Sequence, residues 1–204
     1  MNVDLRVFGG ERLQTTGPLL IAPTHMGHVE PMLLSGEIER PIHWVARTGL
    51  FRIGWGWAMR FAGTIELNQH KVCTQTMRHC IQRLHQGRIL GMFPEGKVTN
   101  SRTSVAFGGP IYGGTALISL RSGVPIVPIV VLGTDEMVTV ESWFPGSRTR
   151  VAIGVGEPVV PPPLPARPLR RDARRALTEQ LALGFQRTRR ELSAAMEQPG
   201  KAVR

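Results

Sequence analysis

The chain has 204 residues, of which 42% are apolar, so it is long enough for one compact domain and is not an intrinsically disordered protein. Its 25 lysines and arginines outnumber 15 acidic residues, and the net charge of +10 favours an anionic partner: nucleic acid, an anionic membrane surface or an anionic small molecule. No run of about 18 apolar residues is present, and the opening MNVDLRVFGG lacks the basic start and apolar core of a secretory signal, so we expect neither a membrane-spanning segment nor a signal peptide.

Short apolar runs alternate with helical patterns along the chain. The runs predicted to be strands are 19–22, 42–46, 64–67, 89–93, 126–132 and 151–155. Two patterns predict helices: residues 71–86, whose apolar positions recur on one helical face before Gly87, and residues 113–122, which end at Gly123. Strands that alternate with helices predict a single α/β domain with a mostly parallel central sheet flanked by helices.

The two cysteines, Cys73 and Cys80, both fall in the predicted helix 71–86. Their spacing separates them by about 10 Å along the helix axis, which is beyond the reach of a disulfide bond. We therefore expect two buried thiols and a reducing compartment, the cytosol.

The sequence changes character after residue 160, where we place the end of the main domain (1–160). Residues 161–168 are rich in proline and predict an extended connection. Residues 169–204 then form a basic helix and tail, whose inward stripe is predicted to comprise Ala173, Leu177, Leu181, Phe185 and Leu192. The outward arginines form either a solvated face or a contact with anionic lipid.

Two histidines and a glutamate follow the first predicted strand, in the stretch LLIAPTHMGHVE. His25 stands just beyond the carboxyl end of this strand, where the active groups of α/β folds gather, and histidine transfers protons near neutral pH. Glu30 could hold its other ring nitrogen and stabilise the imidazolium. Two alternatives remain open from these residues alone: His25, His28 and Glu30 could bind a metal, or both histidines could be structural.

A second polar turn, FPEGK at residues 93–97, follows the strand predicted at 89–93. Together the two stretches resemble the glycerolipid acyltransferase family typified by 1-acylglycerol-3-phosphate (lysophosphatidic acid) acyltransferases. The first family block is His, four residues, Asp, and HMGHVE is similar, with Glu30 at the acid position. The second block resembles residues 46–69, FPEG is intact, and GVPIVPIVV at 123–131 is similar to the fourth. The resemblance covers residues 5–160.

This resemblance implies a glycerol-phosphate acyltransferase-like fold. It also implies transfer of a fatty acyl group from acyl-CoA or acyl-ACP to a hydroxyl of a lysophospholipid-like acceptor, with lysophosphatidic acid as the first expected acceptor. His25 would take the hydroxyl proton and Glu30 would orient His25. The reaction would proceed in a ternary complex without an acyl-enzyme, a permanently bound cofactor or a metal. The residues implied to contact substrates are Phe93, Pro94, Glu95, Gly96, Lys97, Arg47 and Gln69.

The chain departs from the family pattern at three places. Glu30 replaces Asp and adds one methylene. Gln69 stands where the second block commonly ends in arginine, and Lys97-Val98 replace Thr-Arg after FPEG. Arginine binds phosphate through a planar fork that Gln and Val lack. The phosphate could instead meet Lys97, Arg47 or Arg102, or the acceptor could be another lipid or polyol, or the protein could be a non-catalytic lipid-binding scaffold.

The segment GLFRIGWGWAMRFAG at residues 49–63 combines bulky apolar side chains with arginines. This combination is typical either of a core segment or of one that dips into the headgroup region of a bilayer. We therefore expect a cytoplasmic protein that is peripheral at the inner face of a membrane, with an anionic membrane surface as partner. Nucleic acid is not expected, because aromatic residues are only 6% and lack the stacking pattern of a single-strand binder.

Overall fold

The structure is a computed structural model that describes residues 3–52, 56–67, 74–135, 149–163 and 171–197. Seven strands of these ranges form one sheet: β1 (Val3–Phe8), β2 (Leu19–Pro23), β3 (Ile42–Arg47), β4 (Ile65–Leu67), β5 (Ile89–Gly91), β6 (Ile126–Leu132) and β7 (Thr149–Val155). Their order is β1-β7-β6-β2-β5-β3-β4, and every neighbouring pair is parallel except the antiparallel pair β6–β7. The predicted α/β fold with a mostly parallel central sheet is confirmed.

Helices cover both faces of the sheet. The described helices are α1 (Glu30–Glu37), α2 (Gly56–Phe61), α3 (Thr74–His85), α4 (Gly114–Ser122) and α5 (Arg171–Glu197). Because side chains alternate along a strand, Leu20 joins a core cluster with residues of α3, α4 and α5, whereas its neighbour Ile21 joins a second cluster that includes Leu34 of α1. Both strand residues are fully buried, so β2 is a central strand with apolar contacts on each side.

Helix α5 is part of the main core. The predicted inward stripe is largely confirmed, because Leu177, Leu181, Phe185 and Leu192 are buried in the cluster with α3 and α4, and Ala173 packs half-buried against it. The predicted start at 169–170 lies outside the described residues. The boundary at residue 160 stays a prediction, but the helix beyond it completes the core of the same α/β fold.

Several element boundaries differ from the prediction. Strand β1 was not expected, because Asp4 and Arg6 interrupt its apolar residues, a pattern that suits an edge strand with one solvated side. Strand β5 ends at Gly91 rather than Phe93, since Phe93 already belongs to a turn in which its carbonyl oxygen accepts from Gly96 N at 3.1 Å. The short helices α1 and α2 were also not predicted. Residues 71–73 of the predicted helix 71–86 lie outside the described residues.

Cys80 is a buried free thiol, and burial raises its pKa to about 12. Cys73 lies outside the described residues, so the expectation for the pair stays a prediction. Within the described ranges, every helix is too short or too polar to cross a bilayer.

Replacing Phe185 by alanine should test whether α5 stabilises the whole domain. Phe185 is fully buried, so the cavity left by Phe185→Ala should lower the free energy of unfolding by about 3–5 kcal/mol. The exposed Leu183 on the same helix is the control, and Leu183→Ala should change stability by less than about 0.5 kcal/mol. Urea denaturation followed by circular dichroism measures both, and equal stability of the two variants would contradict a core role for α5.

Candidate active site

His25 leaves the sheet at the carboxyl end of the central strand β2. The strand ends at Pro23, and Thr24 then fixes the exit: its amide donates to Ile129 O at 2.9 Å and its hydroxyl accepts from Val131 N at 2.9 Å. Both partners belong to β6, so the residue before His25 is tied to a neighbouring buried strand. The histidine therefore starts from a rigid backbone.

Glu30 is the first residue of α1, and its side chain is fully buried. Its Oε1 accepts from Met26 N at 3.0 Å, from Gly27 N at 2.5 Å and from Thr134 Oγ1 at 2.7 Å. Its Oε2 lies 3.4 Å from His25 Nδ1. Three donors thus anchor one carboxylate oxygen and leave the other facing the imidazole.

The charge of Glu30 follows from these contacts. Burial alone raises the pKa of Glu30. The polar contacts with His25, Thr134 and the backbone, and the positive charge that His25 can carry, lower the pKa by more than burial raises it, so the pKa lies below its ordinary value. An ionised Glu30 favours the His25 tautomer with its proton on Nδ1, which leaves Nε2 free to accept a proton. Among the described residues neither His25 Nδ1 nor Glu30 Oε2 has a hydrogen-bond partner at closer range. The 3.4 Å contact is longer than a charge-assisted hydrogen bond, and protonation of His25 would strengthen it.

An aromatic stack holds the imidazole plane. The His25 ring stacks on Phe93 with centroids 4.1 Å apart, and Phe93 stacks on Trp44 of β3 at 5.2 Å. Trp44 is itself tied to α1, because its Nε1 donates to Ser35 Oγ at 3.1 Å. The His25 side chain is 18% exposed, and its Nδ1 is buried. The exposed part of the ring is therefore the side that carries Nε2.

Glu95 of the FPEG turn fixes the backbone of His25. Its Oε2 accepts from His25 N at 2.6 Å and from Thr99 Oγ1 at 3.1 Å, and its Oε1 accepts from Val105 N at 2.7 Å. Thr99 N in turn donates to His25 O at 2.7 Å. The buried carboxylate is thus committed to protein donors, and its predicted contact with an acceptor stays a prediction.

The other predicted substrate residues that the structure describes lie at the same edge of the sheet. Pro94 is buried and its carbonyl accepts from Tyr112 N at 2.9 Å. Gly96 has φ +63°, a left-handed conformation suited to glycine, and faces the Tyr112 ring. Lys97 and Arg47 are exposed, and among the described residues neither forms an ion pair. Gln69 lies outside the described residues.

Sequence reasoning missed the residues that brace the pair. Thr134 holds Glu30 from a position directly after β6, and a Cβ on Gly27 would come within 2.5 Å of Thr134 O, so only glycine fits there. Polar residues that follow a predicted strand at the active edge are a signal that could have identified Thr134.

Two further features lie near or beyond this site. The exposed His28 ring is 6.3 Å from the His25 ring, and within the described ranges no group of three His, Cys, Asp or Glu side chains is placed to hold a metal.

A polar cavity of about 720 Å³ lies at the β4 edge, between α2 and α3, and neither His25 nor Glu30 lines it.

Several known proteins are similar to this chain. A family model described as Acyltransferase matches residues 4–132. A chloroplastic 1-acyl-sn-glycerol-3-phosphate acyltransferase of Brassica napus is 31% identical over 96 residues, 46% of this chain and 27% of that protein. The 1-acyl-sn-glycerol-3-phosphate acyltransferase of Bacillus subtilis (strain 168) is 26% identical over 134 residues, 65% of this chain and 64% of that protein.

A solved structure matches over nearly the whole chain. The crystal structure of the 1-acyl-sn-glycerophosphate (LPA) acyltransferase from Thermotoga maritima aligns with a TM-score of 0.65 at 22% identity, covering 94% of this chain and 73% of that one. This likeness shows the fold. The chain spans only 27% to 64% of the length of the two curated relatives above.

The lowered pKa of Glu30 predicts how acid affects stability. Its pKa is lower in the folded than in the unfolded chain, so its contribution is complete above the unfolded value of about 4.3 and is lost as pH falls through the folded value. Glu30→Gln removes this pH-dependent contribution. Between about pH 6 and pH 3, the free energy of unfolding of the variant should therefore fall less than that of the wild type. Glu37→Gln, at the exposed end of α1, is the control. Urea titrations at several pH values measure the slopes, and parallel slopes for wild type and Glu30→Gln would refute the assignment.

Proposed function

Because the chain belongs to the Acyltransferase family, we propose that it transfers a fatty acyl group from an acyl thioester to a hydroxyl of a lysophospholipid-like acceptor. The observation that carries this proposal is the His25–Glu30 pair, in which a buried carboxylate faces one imidazole nitrogen and leaves the other accessible. The names of the relatives support lysophosphatidic acid as the first acceptor to test and a role in phospholipid biosynthesis. The donor would be acyl-CoA or acyl-ACP, bound as a co-substrate.

The proposed reaction needs one base and no enzyme nucleophile. His25 Nε2 takes the proton of the acceptor hydroxyl while its oxygen attacks the thioester carbonyl carbon. The carbonyl electrons move to oxygen, and as they return the carbon–sulfur bond breaks. The departing sulfur takes the proton from His25, so the products are an ester and a free thiol. Glu30 remains ionised throughout and stabilises the imidazolium between the two transfers.

The arrangement of Glu30 supports a working pair despite the longer side chain. A misplacement of about 1 Å can be costly in catalysis. Here the donors Met26 N, Gly27 N and Thr134 Oγ1 hold Oε1 at 2.5 to 3.0 Å, and Oε2 still faces His25 Nδ1. The extra methylene is therefore accommodated by the backbone turn between residues 25 and 30.

The acceptor phosphate is proposed to meet exposed cations at the carboxyl edge. Lys97 follows the FPEG turn, and Arg47 ends β3, the strand that carries the stacked Trp44. Both could replace the arginines that this chain lacks at Gln69 and Val98, Arg47 through its guanidinium fork and Lys97 as a point charge. An uncharged lipid or polyol hydroxyl is the alternative acceptor.

We also propose that the protein works in the cytoplasm, at the inner face of a membrane. Lysolipid acceptors reside in bilayers, and the net charge of +10 favours an anionic surface.

Replacing His25 tests the proposed base. His25→Ala should lower the rate of thiol release from acyl-CoA in the presence of lysophosphatidic acid by about 10²- to 10⁴-fold. His85→Ala, an exposed histidine at the end of α3, should keep the wild-type rate. Circular dichroism checks that both variants are folded. An equally active His25→Ala protein would refute the base, and a wild type that releases no thiol with any acceptor of a lysolipid panel would favour the non-catalytic scaffold.

Neutralising the two edge cations tests the acceptor. Lys97→Gln and Arg47→Gln should each raise the KM for lysophosphatidic acid by about 3- to 10-fold, because an exposed charge-assisted contact with phosphate is lost. The KM for a monoacylglycerol, which has no phosphate, should not change. Arg121→Gln, an exposed arginine at the far end of α4, serves as the control. Equal changes for both acceptors would count against a phosphate contact.

A further inference from the structure

Three bulky apolar side chains in the segment that follows β3 are exposed. Leu50 is 46%, Trp57 71% and Phe61 92% exposed. Trp57 and Phe61 are four residues apart on α2, which places them on the same side of the helix. We call Leu50, Trp57 and Phe61 the tryptophan patch. Two large exposed apolar side chains on the same side of one helix favour an interaction surface over a solvated face.

The tryptophan patch sits on a well-packed support. Phe51, the neighbour of Leu50, is buried, and a Cβ on Gly56 would come within 2.0 Å of the Phe51 carbonyl oxygen, so α2 begins in direct backbone contact with Phe51. At its other end, Thr64 N donates to Met59 O at 3.0 Å as the chain enters β4. The outward direction of the patch is therefore built into the fold.

Cationic groups border the patch. The exposed Arg47 ends β3 just before it, and the Arg60 guanidinium lies 5.2 Å from the centre of the Phe51 ring and 3.6 Å from Glu66. Exposed apolar side chains with arginines beside them complement the acyl chains and anionic headgroups at the surface of a bilayer, where tryptophan and arginine side chains are both favoured. The net charge of +10 has the same sign as this border.

The segment that carries the patch leaves β3 at the edge of the sheet where His25 lies, and α2 then returns toward the start of β4. Strands β2, β3 and β5 are parallel neighbours, so their carboxyl ends share one edge. His25 follows β2, Phe93 follows β5, and the patch follows β3. Trp44 stacks on Phe93, and Phe93 stacks on His25. Because Trp44 is three residues before the end of β3, the end of the strand lies about 10 Å beyond Trp44.

We propose that the tryptophan patch docks on the surface of an anionic lipid bilayer and thereby holds the protein on the membrane that contains the acceptor. This inference rests on the proposed function in one respect, because the reason for docking is a lipid acceptor. Leu50, Trp57 and Phe61 enter the headgroup boundary while Arg47 and Arg60 meet lipid phosphates.

Vesicle flotation of the full chain tests the docking. Wild type should float with vesicles of phosphatidylcholine and phosphatidylglycerol in a 7:3 ratio, and Trp57→Ser/Phe61→Ser should partition about tenfold or more weakly. The matched control is Val160→Ser/Leu183→Ser, a second exposed apolar pair, on and beside α5, which should bind as wild type does. The urea midpoint of each variant shows that it is folded.

The outcomes separate docking from catalysis. Equal flotation of the wild type and Trp57→Ser/Phe61→Ser would overturn the proposal, as would loss of flotation only in the α5 control, which would move the contact to the basic helix. A wild type that binds no vesicle would also overturn it and leave the patch to a protein partner. Thiol release with micelle-free short-chain substrates is measured in parallel: its absence in every protein refutes the proposed function, while selective loss of flotation still supports docking.

Discussion

The site depends on one buried carboxylate that is kept ionised. Burial alone raises the pKa of Glu30, and the three donors to Oε1 together with His25 beside Oε2 reverse that shift. Two of these donors are backbone amides of the turn that carries His25, so that turn also fixes the carboxylate that faces the His25 ring. Thr134 supplies the third donor from a strand end 104 residues away in sequence, which links the local turn to the sheet.

A second carboxylate does a different task in the same space. Glu95 is buried like Glu30, yet its oxygens accept from the amides of His25 and Val105 rather than facing the imidazole. Glu30 therefore faces the ring, and Glu95 sets the position of the backbone beneath it. The stack on Phe93 and Trp44 restricts the remaining freedom, the rotation of the ring, so each part of His25 is held by a different element.

Local pattern predicted the central elements and placed His25 beyond a strand end within reach of Glu30, and long-range contacts account for what it missed. Strands β2 and β6 are continuous apolar runs because both of their faces are covered, and His25 was recognisable from its place after β2. In contrast, β1 carries Asp4 and Arg6, and the role of Glu95 depends on the direction of a side chain that no spacing reveals. The exposure of Trp57 and Phe61 was equally out of reach, since composition alone does not distinguish a core segment from an outward helix face.

The pairing of β1 with β7 has a consequence for how the chain acquires its structure. The first strand finds its neighbour only at Thr149–Val155, and α5, which follows, buries Phe185 in the core. During synthesis β1 therefore leaves the ribosome well before its partner exists, and its hydrogen-bonding edge must wait unpaired. Contacts so distant in sequence are slow to form, so completing this edge is expected to be a late step on the folding pathway.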